Sequence, residues 1–155
     1  MIEVEVEVEA GDWTDAIDEV EAVVERAAVA ALGDREGGIV ILLTDDETVR
    51  DLNDRFRGKD RPTNVLSFPA AEMPGVAGPT PLGDIVLAYG VCAAEAGEQS
   101  KTLRNHLTHL VVHGVLHLLG RDHEVDAEAE VMEGEERVIL ASLGVSDPYT
   151  LPHDD

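Results

Sequence analysis

The chain is nearly devoid of cysteine and lysine: of 155 residues only Cys92 is a cysteine, and only Lys59 and Lys101 are lysines. A lone cysteine excludes an internal disulfide and fits a reducing cytoplasm, where we expect the protein to reside. Within the apolar run VCAAEA it reads as a buried, inert thiol rather than a nucleophile. Long hydrophobic runs are also missing. The longest, AAVAAL and IVILL, fall far short of the roughly 20 residues of a membrane-spanning helix. The N-terminal MIEVEVEVE is acidic where a secretory leader would be basic. Neither a membrane role nor an internal repeat is indicated.

Positive charge is scarce throughout. Thirty-three acidic residues stand against 11 basic ones, for a net charge of −22. Taken alone, such a surface repels phosphates and argues against nucleic-acid partners. Solubility or a high-salt cytoplasm accounts for the acidity better than a surface made for a basic partner. The high-salt account predicts a melting temperature that climbs from low to molar salt as carboxylate repulsion is screened. A flat thermal-melting series would reject it. With 44% apolar residues, a chain of this length can bury roughly 68–70% of its unfolded surface. Residues 1–155 are therefore expected to form a single domain.

The patterning is that of an α+β protein with one mixed sheet of about four strands, covered by about five helices. Residues 2–9, IEVEVEVE, alternate strictly as a half-buried strand does. The stretch 16–32 has helical periodicity and stops at Gly33. GGIVILL (37–43) suits a buried strand, and TDDE (44–47) offers a capping box with Thr44 as N-cap, opening a helix to about Phe56. NVLSF (64–68) and LGDIVLAY (82–89) read as strands around a Gly- and Pro-rich loop at 73–81. VCAAEAGEQ reads as a short helix. Ser100 is placed to cap a long helix ending near Leu119, and a last helix is expected over roughly 126–143.

That long helix concentrates the histidines. His106, His109, His113 and His117 lie three or four residues apart and share one side of it. An i, i+4 pair can close on one metal at about 2.0–2.1 Å per nitrogen. Gly120 lets the chain turn so that His123 can return as a third ligand. The resulting H-x3-H-x5-H spacing matches the ligand spacing of H-E-x-x-H-x-x-G-x-x-H, a zincin-like histidine helix, with a glycine at the pattern's own glycine position. Three protein ligands, His113, His117 and His123, leave a fourth position open, as in catalytic sites. His109 is the rival ligand, with packing or a supporting contact to a ligand as its expected role. His106 and His153 are expected at the surface. The glutamate that serves as general base in that pattern is Gly114 here, which excludes a standard metallopeptidase.

One segment reverses the sign of the surface. Arg50, Arg55, Arg57, Lys59 and Arg61 outweigh Asp51, Asp54 and Asp60 for a local charge of +2. The bland reading is a solvated helix end. The functional reading is a phosphate clamp, because guanidinium grips phosphate oxygens bidentately. A metal with an open position beside such a clamp points to phosphodiester rather than peptide hydrolysis.

RGKDRPTNVLSFP (57–69), LGDIV (82–86) and HLVVHGVLHLLGRDH (109–123) together resemble the YbeY family of bacterial rRNA-maturation endoribonucleases. The resemblance runs from about Leu52 to the Asp-Pro-Tyr at 147–149. It implies one Zn2+ per chain on His113, His117 and His123, and a functional arginine at Arg57. It also implies cleavage of single-stranded RNA rather than DNA, in maturation of the 16S rRNA 3′ end and in quality control of the small ribosomal subunit. Arg57 is then the expected catalytic residue, with Arg55, Lys59 and Arg61 positioning the substrate backbone. Two alternatives stand beside this: a ribosome-assembly factor with a structural zinc site, and a metallohydrolase acting on another substrate.

Overall fold

The protein is described by a computed structural model over residues 2–33, 37–69, 81–119 and 126–145. Four strands form one mixed sheet in the order β1-β2-β4-β3, where β1 is Ile2–Val8, β2 Gly37–Thr44, β3 Val65–Pro69 and β4 Pro81–Ala88. β1, β2 and β4 run parallel, and β3 pairs antiparallel with β4. Among the described residues there are six helices: α1 Gly11–Ala16, α2 Val20–Leu32, α3 Asp46–Arg57, α4 Tyr89–Glu98, α5 Leu103–Leu118 and α6 Asp126–Ser142.

The extra helix, α1, lies ahead of the helix expected over 16–32, which itself begins only at Val20. Glu19 adopts a left-handed conformation with φ 53°, which breaks the path between α1 and α2. Trp13 on α1 is fully buried and its indole N–H donates to the Thr44 carbonyl at 2.9 Å, so this turn is fixed by tertiary contact. α2 then buries Val20, Val23, Val24, Ala27, Ala28, Ala31 and Leu32, the 3-and-4 spacing of one helical stripe. It ends at Gly33, φ 62°, as its sequence indicates.

β1 occupies a sheet edge and turns Glu3, Glu5, Glu7 and Glu9 to solvent, a charged edge that discourages pairing with another chain. β2 alternates in burial. Ile39, Ile41 and Leu43 join α2 and α5 in the main core, while Leu42 packs with Val49, Leu66, Val86 and Ala88 on the other face, under α3. Thr44 does not cap α3. It is the last residue of β2, paired with Ala88, and its hydroxyl donates to Glu9 Oε1 at 2.9 Å. Asp45 takes the cap, accepting from the Thr48 N–H at 2.8 Å, and that N–H holds the Asp45 carboxyl below its ordinary value. Ser100 likewise is not a cap, since Thr102 accepts from Asn105 N at the start of α5. Cys92 is buried as expected, and burial pushes its thiol far above the ordinary range. The loop read at 73–81 lies almost wholly outside the described residues, and Pro81 already belongs to β4.

Candidate active site

α5 is the element that builds the site. Leu107, Val111, Val112, Val115 and Leu116 are fully buried against the sheet and α2, so the helix cannot rotate without emptying the core. Its remaining side carries the histidines. His113 and His117, one turn apart, bring their Nε2 atoms to 3.0 Å. Two nitrogens sharing a tetrahedral zinc at about 2.0–2.1 Å would lie about 3.3 Å apart, so this pair needs only a small ring adjustment to chelate.

The opposite nitrogen of His113 is also engaged. Its Nδ1 lies 2.6 Å from Oε1 of Glu136 on α6, and His109 Nε2 lies 3.1 Å from Oε2 of the same carboxylate. Glu136 is completely buried. A carboxylate on the back of a metal-facing imidazole fixes its tautomer and raises its basicity. His109, His113 and Glu136 themselves form a second group that could hold an ion, with ligand atoms within 4.8 Å of one another. The 2.6 Å contact there is shorter than two ligands of one zinc require and suits a hydrogen bond better. His123, the third expected ligand, lies outside the described residues, as does His153.

Arg57 reaches the same place from the other side of the sheet. α3 ends at Gly58 in a left-handed C-cap, and the Arg57 side chain wraps over the edge strand β3. There its Nη2 donates to the Ser67 carbonyl at 2.6 Å, and its guanidinium lies 5.4 Å from the Phe68 ring centroid. Arg57, Asn64, Ser67, His113 and His117 line one open cleft of about 370 Å³. The structure does not bring Arg55, Lys59 or Arg61 into that lining. Arg55 pairs with Asp51 at 3.2 Å on the exposed face of α3, whereas Lys59 and Arg61 are exposed on the loop after it. That loop is held by buried Asn53, which donates to the Arg61 carbonyl at 2.8 Å and accepts from Lys59 N.

Gly114 packs where the metallopeptidase pattern has its base. A Cβ there would lie 3.1 Å from Ile85 Cδ1 and 3.3 Å from Ser67 Oγ, tight contacts with the sheet. The missing glutamate is thus a condition of α5 lying this close to β3 and β4. Gly114→Glu should therefore lower stability by about 2 kcal/mol or more, from crowding and a desolvated carboxylate, and should not raise activity. Chemical denaturation of the variant measures this; unchanged stability would show that the helix has room to move.

His106 corrects the expectation of a surface residue. It is 3% exposed, and its Nε2 lies 2.9 Å from Glu95 Oε1. Burial lowers its pKa from the ordinary value, with Glu95 opposing. Glu95 in turn accepts from Asn64 Nδ2 at 3.0 and 3.3 Å. Glu136 and Glu95 were both missed in the sequence. Glu136 had a faint signal: it sits four residues from Met132 and from Leu140, on the stripe α6 buries, but among so many glutamates a single inward one does not stand out.

The family model described as "Endoribonuclease YbeY" matches residues 2–144. The chain belongs to the YbeY family. Curated relatives named Endoribonuclease YbeY include that of Azorhizobium caulinodans, 53% identical over 97% of this chain and 98% of the relative. That of Parvibaculum lavamentivorans is 51% identical, over 98% of this chain and 87% of its own length. The fold is similar to that in the solution structure of TM1509 from Thermotoga maritima, with a TM-score of 0.53 and 26% identity, covering 97% of this chain and 99% of that one. Among the described residues no helix is long and apolar enough to cross a membrane.

Proposed function

We propose that the protein is a zinc-dependent endoribonuclease that cleaves single-stranded RNA, acting in the cytoplasm on the 16S rRNA 3′ end and in quality control of the small ribosomal subunit. The observation that carries this reading is the shared cleft, which Arg57 lines together with His113 and His117, whose Nε2 atoms lie 3.0 Å apart. Membership in a family of endoribonucleases supports the RNA substrate.

In this reading His113, His117 and His123 hold one Zn2+, with Glu136 behind His113 and His109 as a further partner of that carboxylate. When bound, such an ion acts as a Lewis acid toward a phosphate oxygen and makes water a better nucleophile at neutral pH. The chain's own part is positioning and charge. Arg57 already spends one N–H on Ser67 and rests on Phe68, so its planar donor fork is oriented before substrate arrives. Its remaining N–H groups face the charge that grows on the phosphate oxygens in the transition state. Arg55, Lys59 and Arg61 lie outside the cleft and serve the approach of the strand, lowering the repulsion of a surface at −22. With no carboxylate at Gly114, the proton of the nucleophile leaves through solvent, another side chain or the substrate's own 2′-OH.

A structural zinc in an assembly factor is the second reading, favoured by one observation: Glu136, itself fully buried, ties α6 to α5 through two histidines. Single-turnover incubation of the zinc-loaded protein with single-stranded and duplex RNA separates the two, with chelator and His117→Ala as controls. Cleavage of the single strand alone, lost in both controls, supports the enzyme. Intact RNA together with a zinc-dependent melting temperature supports the structural role.

A further inference from the structure

A second cavity, also of about 370 Å³, adjoins the cleft and shares Asn64, Val65 and His113 with it. We propose that this cavity is a nucleobase subsite, which takes the base next to the scissile phosphate and selects bases carrying an exocyclic amine; the proposal rests on RNA being the substrate. A strand whose phosphate lies between Arg57 and His113 can leave the cleft across the Asn64–Val65–His113 boundary, and that boundary opens into this space.

The cavity is equipped for a base and not for a phosphate. Its wall includes Glu95, whose Oε1 meets both Asn64 and His106, whose Oε2 has the longer 3.3 Å contact with Asn64, and whose side chain is 29% exposed. An anchored carboxylate of this kind repels phosphate and accepts hydrogen bonds from amino groups such as cytosine N4 or adenine N6. Gln99, exposed at the end of α4, adds an amide that can both donate and accept. Val65 and Leu110 supply apolar surface for the face of the ring. Lys101, one of the chain's two lysines, lines the same cavity and can meet the phosphate that follows the base. Single-stranded RNA is commonly read in this manner, by splayed bases hydrogen-bonded on their edges.

The test removes the amine from the substrate, leaving the protein intact. Single-stranded RNAs are compared that carry adenosine or its purine analogue, and cytidine or its 2-pyrimidinone analogue, at each position flanking the cleaved bond. Both kcat/KM and the affinity for uncleavable 2′-O-methyl versions are measured. Loss of the amine at one flanking position should lower both by about tenfold. Gln99→Ala should shrink that ratio, and Glu95→Gln should reduce it to near one, with zinc content unchanged in both. If Glu95→Gln unfolds, the analogue series and Gln99→Ala still decide. Cleavage that ignores the amine at every position, with unchanged affinities, would overturn the subsite while leaving the nuclease reading intact. Amine-dependent affinity without any cleavage would do the reverse, and failure to bind any of these RNAs would overturn both.

Discussion

Arg57→Ala should slow single-turnover cleavage of a single-stranded RNA by on the order of 10²–10³ while zinc content stays at the wild-type level. That is the loss associated with removing one oriented donor from a developing oxyanion. The structural cost of the change is small, because the residue is exposed and gives up one hydrogen bond to the Ser67 carbonyl and its contact with Phe68, worth together about 1–2 kcal/mol. Arg57→Lys should recover only part of the rate, since an ammonium cannot reproduce the fork. Arg50→Ala should change little, as that arginine is exposed and pairs with Asp60. Equal rates for wild type and Arg57→Ala would remove the clamp, and with it the main argument for phosphodiester chemistry at this cleft.

Much of this was legible in the sequence, for reasons that can be stated locally. The 3-and-4 spacing of α2 and the strict alternation of β1 each record a face that meets the core. The histidines were legible because an i, i+4 pair shares a helix side whatever the tertiary fold. What escaped depends on contacts far along the chain. Thr44 and Asp45 are equally good caps locally, and Glu9, 35 residues away, decides between them by claiming the threonine hydroxyl. The break before α2 follows from the burial of Trp13 beneath Thr44. His106 read as a surface residue because its carboxylate partner is on another helix, and nothing near it in sequence announces the pairing.

The same distinction applies to charge. A net −22 was grounds to doubt nucleic-acid partners, yet a net charge says nothing about where the few cations go. Arg57 is set at the mouth of the histidine cleft by the C-cap of α3 and the edge of β3, and the exposed cations of the following loop are its neighbours in the chain. An acidic body with one basic margin confines a polyanion to that margin, at the cost of affinity that salt should modulate strongly.

Zinc binding should divide the histidines sharply. His113→Ala, His117→Ala and His123→Ala should each abolish tight binding, whereas His109→Ala should retain one ion per chain. The reason is geometric: the nitrogens of His113 and His117 that face each other at 3.0 Å lie on the cleft, while His109 points its Nε2 at buried Glu136. Glu136→Gln should then weaken zinc by about 10–100-fold without removing the site. The amide keeps the shape of the carboxylate but not its charge, so the His113 Nδ1 proton is held less firmly and the facing nitrogen becomes a poorer donor. Competition with a chromophoric chelator gives the affinities, and nitrogen NMR of the imidazoles reports the tautomer of His113 independently of any activity. The alternative constellation makes the opposite forecast. An ion held by His109, His113 and Glu136 would be lost in His109→Ala and Glu136→Gln and kept in His117→Ala. That pattern would move the metal to the far side of His113, away from Arg57, and leave the cleft without its Lewis acid.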